Sequence, residues 1–211
     1  MSLTQLLIEI VSAWIRDLGW IGVFGGVMLE TAITIIPSPL VPMAAGFSLI
    51  PTDADFMKVL ATSIVLIGLT GSIAATLGSL AHYAIGYYGG RPLIERYGKW
   101  LGISWNEVES FTDKLSNGKE SLTIFASRAL PIVPLSIISI GAGLLKIKAD
   151  RFTLFTLLGC LPRYTVLGIA GYLVGIAYEE MVNILDTAET AVAILIIVGI
   201  ALYILVRRLR G

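Results

Sequence analysis

The sequence has few of the side chains that most enzymes use for catalysis. Its 211 residues include one histidine, His82, and one cysteine, Cys160. We find no Ser–His–Asp set around this histidine, no His and Cys cluster with metal-ligand spacing, and no glycine-rich Walker loop. A lone cysteine also excludes a disulfide within the chain. These absences predict a protein that is not an enzyme and that holds no metal and no cofactor.

Charged residues are also scarce. Asp, Glu, Lys and Arg make up 14% of the chain and hydrophobic residues 56%, which is far from the balance of a soluble domain. The 15 basic and 15 acidic side chains cancel, so the net charge gives no indication of nucleic-acid binding. We predict a single-domain, all-α polytopic membrane protein.

Hydrophobic runs divide the chain into seven segments. In residues 3–18, apolar side chains recur at helical spacing with polar ones opposite, which predicts an amphipathic helix in the membrane interface. Residues 91–120 are predicted to form a cytoplasmic loop with a second such helix, which a capping box at Ser104–Glu107 opens. Long apolar runs predict transmembrane helices over 59–90, 152–178 and 188–206, the second of which contains Pro162 and Arg163. Segments 21–50 and 121–147 are apolar but broken by prolines, which predicts two re-entrant hairpins. The hairpin tips hold Pro37, Pro39, Pro131 and Pro134.

The two halves of the chain share one order of segments, an interfacial helix, a hairpin and a long span, with a further span at the C-terminal end. Basic residues in 91–120 and after residue 206 indicate the cytoplasmic side, and the acidic loops 51–55 and 179–189 the outer side. The hairpins then enter from opposite sides, so the repeats are inverted, as in many transporters. We predict a multi-pass protein of the plasma membrane with a cytoplasmic C-terminus.

Four ionisable side chains lie in apolar segments: Glu30, His82, Arg128 and Arg163. Such residues are functional candidates because a charge is costly at mid-bilayer. Glu30 and Arg128 occupy matching places in the two hairpins, where they could bind substrate or simply pair with each other. His82 could be a satisfied interior histidine or a proton carrier. Arg163 could face the bundle interior or reach a lipid headgroup.

The hairpin breaks predict an anion site. A half-helix begins behind each break, near Leu40 and near Leu135, and its free N–H groups carry the positive end of the helix dipole. Ser38 and Ser136 lie close to these ends and Arg128 precedes the second one, a combination suited to phosphate. Glu30 would then have to be protonated when the anion binds, which indicates proton coupling, with His82 as a second proton-carrying candidate.

Small residues recur at four-residue spacing between Ala74 and Gly90, and His82 lies on the same stripe. Such a stripe lets a second helix approach closely. The neighbour could belong to the same chain or to another copy, so a homo-oligomer is possible.

The stretches LETAITIIPSPLVPMAAG, HYAIGYYGGRPLIERYGKWL and FASRALPIVPLSIISIGAGLLKIKADRFTLFTLLG, with GYLVG after them, resemble the DedA family, also called the SNARE-associated Golgi protein or VTT-domain family. The resemblance runs from about residue 21 to residue 178. It implies a membrane protein with two opposed re-entrant hairpins that moves lipids, polyprenyl phosphates in prokaryotes and phospholipids in eukaryotes, often with dependence on the proton gradient.

Two residues match the motifs of this family. Glu30 matches the acidic residue before the first tip, and Arg128 matches the arginine of Phe-x-x-Arg-x-x-Pro. Pro39 and Pro134 stand where a second carboxylate and a second arginine often occur, and we hypothesise that Arg163 supplies the missing positive charge.

We therefore predict a proton-coupled flippase for a polyprenyl phosphate or related phospholipid, in contact with membrane lipids and with no nucleic-acid partner. The phosphate would be bound by Arg128, Arg163, Ser38 and Ser136. The alternatives are an energy-independent phospholipid scramblase and a non-transporting membrane scaffold.

Overall fold

The computed structural model describes residues 12–32, 39–97, 104–115, 120–130 and 134–177. These residues form helices joined by short turns, and they include no strand, which confirms the all-helical prediction. The predicted transmembrane helix 188–206 and most of the predicted interfacial helix 3–18 lie outside the described residues. The chain divides into two compact units, Met1–Leu173 and Val174–Gly211, and the contacts reported below lie within the first.

The described residues of the N-terminal part form three helices. Helix α1 is described over 12–18 and ends at Gly19, whose positive φ of 55° turns the chain. Helix α2 covers Trp20–Ala32 and helix α3 covers Leu40–Leu49. These two helices occupy the predicted first hairpin, and the break at 33–38 lies outside the described residues.

The longest helical run covers Phe56–Arg96, 41 residues. Its main part, α4, comprises Phe56–Ala61, Thr62–Leu69, Thr70–Ala84 and Ile85–Gly89, of which the second and fourth stretches are π-helical. Asp55 caps its start by accepting the N–H of Lys58 at 3.3 Å. Gly90 then bends the run with φ 58°, and α5 covers Gly90–Tyr97.

The described residues of the C-terminal part form four more helices: α6 over Trp105–Leu115, α7 over Glu120–Ala129, α8 over Leu135–Leu144 and α9 over Ala149–Ala177. Within the described residues, the Phe56–Arg96 run and α9 are long and apolar enough to cross a bilayer. Both correspond to predicted transmembrane segments.

The capping box that opens α6 is present. The backbone N–H and the hydroxyl of Ser104 donate to the Glu107 carboxylate at 2.9 and 2.7 Å, and the Glu107 N–H donates back to the hydroxyl at 3.4 Å. The apolar side of α6 packs on α8, where Phe111 faces Gly141, and is buried in the main core. We predicted that this side would rest in the membrane interface. In the structure α8 packs against this side, and the interfacial position of α6 stays a prediction.

The first helix of each predicted hairpin, α2 or α7, packs on the long helix that follows it. On α4, Gly78 lies against α2, and an added Cβ there would be 3.1 Å from the Cβ of Thr31. On α9, Gly159 lies against α7, where an added Cβ would be 2.6 Å from the Cβ of Arg128. Both approaches depend on glycine because a side chain would hold the helices apart.

The second helix of each hairpin packs on the long helix of the other half. Gly46 of α3 faces the backbone of Gly168 in α9, where an added Cβ would overlap the carbonyl oxygen. In the same way, Gly86 of α4 faces the backbone of Ile140 in α8. The two halves are therefore interlocked, because each helix pair, α2–α3 and α7–α8, contacts both long helices.

Candidate functional site

Arg128 lies at the end of α7 and is 0% exposed. Its two terminal nitrogens bind different helices. Nη1 donates to Ser79 Oγ on α4 at 3.1 Å, and Nη2 donates to Ser139 Oγ on α8 at 2.8 Å. The Ser139 hydroxyl in turn donates to the carbonyl of Leu135 at 2.7 Å, and the guanidinium carbon lies 5.6 Å from the ring centre of Phe152. The guanidinium is thus fixed by neutral groups.

The positive charge of Arg128 is not balanced by a carboxylate in the described part of the chain. The ion pairs found there join Arg91 to Glu95 at 2.7 Å and Arg151 to Glu120 at 3.9 Å, and all four side chains are exposed. The Nε of Arg128 is buried and has no hydrogen-bond partner among the described residues. A buried cation is costly without a counter-charge, so this site is suited to accept an anion.

Glu30 lies on α2 and is 3% exposed. Its Oε2 accepts the backbone N–H of Val41 at 3.1 Å. Val41 is the second residue of α3, so the carboxylate lies at the positive end of that helix dipole. Its Oε1 has no hydrogen-bond partner among the described residues. We predicted that an anion would bind the free amides at this end, and the structure shows that Glu30 occupies one of them.

Glu30 and Arg128 have separate partners. Each one links the first helix of its hairpin to the first turns of the second helix, Glu30 through an N–H group and Arg128 through a serine hydroxyl. The ion pairs of the described residues do not include a Glu30–Arg128 pair. The interpretation in which the two residues simply neutralise each other therefore has no contact to support it here.

Arg163 is buried on α9, within electrostatic reach of the Glu30 carboxylate. It therefore takes the inward of the two orientations considered from the sequence. His82 is buried on α4 and interacts electrostatically with Arg128. The structure thus brings Glu30, His82, Arg128 and Arg163 into the interior of the same helical unit.

The stripe of small residues on α4 is covered within the chain. Ala74 and His82 are buried, Gly78 contacts α2 and Gly86 contacts α8. Of the two neighbours considered from the sequence, the structure places helices of the same chain on this face.

The predicted tip residues are only partly described. Pro39 and Pro134 directly precede α3 and α8 and are exposed. Ser136 is buried in the first turn of α8, and its hydroxyl has no hydrogen-bond partner among the described residues. Pro37, Ser38 and Pro131 lie outside the described residues. The described residues contain no group of three or more His, Cys, Asp and Glu side chains that could hold a metal ion.

A family model for the VTT domain matches residues 54–173, more than half of the chain. The chain belongs to the VTT-domain family. The VTT domain begins just before α4 and reaches into α9, so it contains His82, Arg128 and Arg163, whereas Glu30 precedes it. Membership agrees with the resemblance found in the sequence, and the apolar helices agree with a membrane protein.

Several curated proteins are similar to this VTT-domain chain over nearly its whole length. Undecaprenyl phosphate transporter A of Bacillus subtilis (strain 168) is 29% identical over 205 residues, covering 96% of this chain and 95% of that protein. The uncharacterized membrane protein YkoX of the same strain is 30% identical, covering 95% and 86%. An alkaline phosphatase-like protein of Lactococcus lactis subsp. lactis (strain IL1403) is 30% identical, covering 94% and 90%. No solved structure matches the chain significantly.

Sequence reasoning missed the two serines that bind Arg128 in this VTT domain. Ser79 precedes His82 by one helical turn on α4, and buried hydroxyls of Ser72 and Thr76 continue the same side of the helix. A polar row along one side of an uncharged transmembrane helix is a signal that could have identified Ser79. Ser139 lies one helical turn after Ser136 on α8, and both are buried, so this pair of serines in an apolar run is a second signal of the same kind.

Proposed function

We propose that this protein is a transporter that moves a lipid phosphate across the plasma membrane, with a polyprenyl phosphate or a related phospholipid as substrate. The observation that carries this proposal is the buried Arg128 guanidinium, which is held by neutral hydroxyls and has no carboxylate partner among the described residues. The similarity to a protein named undecaprenyl phosphate transporter A, over 96% of the chain, supports the choice of substrate. The Lactococcus name concerns that relative, and we propose no enzymatic activity for this chain.

Arg128 would bind the phosphate. A guanidinium can donate two parallel hydrogen bonds to a phosphate, and such charge-assisted pairs are stronger than neutral ones. The Nε–H, which has no partner among the described residues, provides one donor for this purpose. The free hydroxyl of Ser136 in the first turn of α8, and Ser38 on the first hairpin, would add neutral donors, and Arg163 would add a second positive charge.

Glu30 would carry the coupling proton. In the carboxylate form it binds the Val41 N–H and presents a negative charge to any incoming anion. A protonated Glu30 would lose that repulsion and bind the amide less strongly, so that α3 could offer the N–H to a phosphate oxygen. Proton uptake and phosphate binding would then favour each other. His82 is a second candidate, but its protonation would place another cation beside Arg128, so we assign the main role to Glu30.

The proposed topology is the inverted repeat of two re-entrant hairpins with a cytoplasmic C-terminus. The interlocked packing, in which each hairpin contacts both long helices, supports a repeat. Because the small-residue stripe is covered within the chain, any homo-oligomer would have to use a different surface.

The test is transport of a fluorescent short-chain polyprenyl phosphate in proteoliposomes, with and without a pH gradient. We compare wild type with Arg128→Ala, Arg163→Ala and Glu30→Gln. Matched controls are Arg91→Ala and Glu95→Gln, which remove the same charges from an exposed pair. We expect Arg128→Ala and Arg163→Ala to lower the rate at least tenfold, and Glu30→Gln to abolish the response to the gradient.

Each alternative predicts a different result. Equal movement of any phospholipid with no response to the gradient would identify a scramblase. A scaffold would show no lipid movement by the wild type. Its role in the cell would also survive a charge swap between Glu30 and Arg128. Unaltered transport in Arg163→Ala would remove that residue from the site and leave the rest of the proposal in place.

A further inference from the structure

We propose that Ser79 and Ser139 are positioning residues for transport, which hold the Arg128 guanidinium in place without neutralising it. This inference rests on the proposed function, because it assigns how the phosphate-binding arginine is kept ready. It adds two side chains for which neither the sequence patterns nor the family resemblance gives a role.

The geometry restricts the guanidinium at two points. Ser79 binds Nη1 at 3.1 Å from α4, and Ser139 binds Nη2 at 2.8 Å from α8. A planar guanidinium that is held at both terminal nitrogens has little freedom to rotate, and the ring of Phe152 covers part of its surface. Arginine has five N–H donors, of which the serines use two. The remaining donors include the unpartnered Nε–H, so the group is fixed but keeps donors for an oxyanion.

The choice of serine over a carboxylate has a functional consequence. Buried arginines usually have an acidic partner, which cancels their charge. A carboxylate at either serine position would hold Arg128 more tightly and would compete with a phosphate for the same donors. A hydroxyl accepts a hydrogen bond from the guanidinium and leaves its positive charge in place.

Ser139 is oriented to act as an acceptor. Its own proton is donated to the carbonyl of Leu135, so the lone pairs of the oxygen remain for the guanidinium. This bond also ties the position of Arg128 to the first turn of α8, where Ser136 lies. Movement of this turn would therefore move the guanidinium with it.

A purely structural role predicts a different outcome. If the serines only satisfy a buried arginine, their removal lowers stability and leaves substrate recognition unchanged. Two measurements on each purified variant separate the two roles. Transport kinetics show whether the KM for the lipid phosphate changes more than the maximal rate, and the unfolding midpoint shows whether stability changes.

The first comparison uses Ser79→Ala and Ser139→Ala, with Ser72→Ala as the matched control. Ser72 is also buried on α4, and its hydroxyl donates to the carbonyl of Gly68 instead of contacting Arg128. We expect each of the first two substitutions to raise the KM for the fluorescent polyprenyl phosphate about tenfold, the size expected for one hydrogen bond to a charged group. Ser72→Ala should stay within about twofold of wild type.

The second comparison keeps a partner for Arg128 and changes only its charge. Ser139→Asn and Ser139→Asp place side chains of nearly equal size at the same position, and both can accept from Nη2. We expect Ser139→Asn to retain transport and Ser139→Asp to lose at least tenfold while remaining folded. This pair decides the question even if Ser139→Ala does not fold.

Two results would overturn the inference while leaving the proposed function intact. In the first, Ser79→Ala and Ser139→Ala have the same KM as the Ser72→Ala control. In the second, Ser139→Asp transports the lipid as fast as Ser139→Asn. Absence of lipid phosphate transport by wild type would overturn the proposed function, and this inference with it.

Discussion

Replacing Gly46 with alanine tests how closely α3 and α9 approach. The new Cβ would overlap the carbonyl oxygen of Gly168 and would lie 2.8 Å from the carbonyl carbon of the same residue and 3.0 Å from the nitrogen of Tyr172. Carbon atoms normally pack at about 3.5–4.0 Å, and all of these neighbours are backbone atoms that cannot rotate away. The helices would have to separate, so we expect a loss of about 3 kcal/mol or more, the upper end for overpacking a core.

The assay is equilibrium unfolding of the purified protein in mixed micelles, with Gly25→Ala as the control. Gly25 lies inside α2, and an added Cβ there would have no neighbour within 4 Å. Because alanine is the better helix former, Gly25→Ala should be neutral or stabilising by up to about 1 kcal/mol. Equal stability of Gly46→Ala and Gly25→Ala would refute the close approach of α3 and α9.

Two further predictions concern side chains outside the proposed transport site. The hydroxyl of Tyr83 donates to the buried carbonyl of Ile147, so Tyr83→Phe should lower the free energy of unfolding by about 1–2 kcal/mol. The control is Tyr172→Phe, because the hydroxyl bonds of Tyr172 are longer, at 3.2 and 3.4 Å. An effect of Tyr83→Phe no larger than that of the control would contradict the prediction. Hydrogen bonds from the Ser104 hydroxyl and N–H lower the pKa of Glu107, so its contribution is present above the usual carboxyl pKa and is lost as the pH falls through the lower folded value. Glu107→Ala should therefore cost about 0.5–1 kcal/mol at pH 7 and progressively less in unfolding scans below pH 4, whereas a pH-independent cost would show that the carboxylate charge is not involved.

The helices could be predicted where a local pattern determines them. The Ser104–Glu107 capping box needs only four consecutive residues, and its reciprocal bonds are present. The uncharged run 59–90 also lies within the helical run Phe56–Arg96. The apolar side of α6 was predictable as apolar, but the pattern could not determine what covers it, since lipid and a neighbouring helix favour the same side chains. The two π-helical stretches of α4 have no local signature that we could read.

The candidate site was predictable in its charges and less so in its contacts. Glu30 and Arg128 stood out because charge is costly in apolar segments. Their partners did not, because the Val41 amide carries no side-chain signal and Ser79 is 49 residues from the arginine it binds. The N–H groups at the start of α3 were predicted to bind a substrate anion, but one of them donates to the carboxyl group of Glu30 of the same chain. A sequence identifies the charged groups more readily than it identifies which of them already satisfy one another.

The interlocked packing of the halves has a consequence for how the protein is made. The hydroxyl of Tyr172 on α9 bonds the carbonyl of Thr52 just after α3, across 120 residues of chain. At a synthesis rate of about 5–20 residues per second, α3 is inserted roughly 6–24 s before its partner exists. During that interval the Gly46 surface of α3 lacks the α9 backbone against which it packs in the folded protein. The packing of α3 is therefore completed only after α9 has been translated.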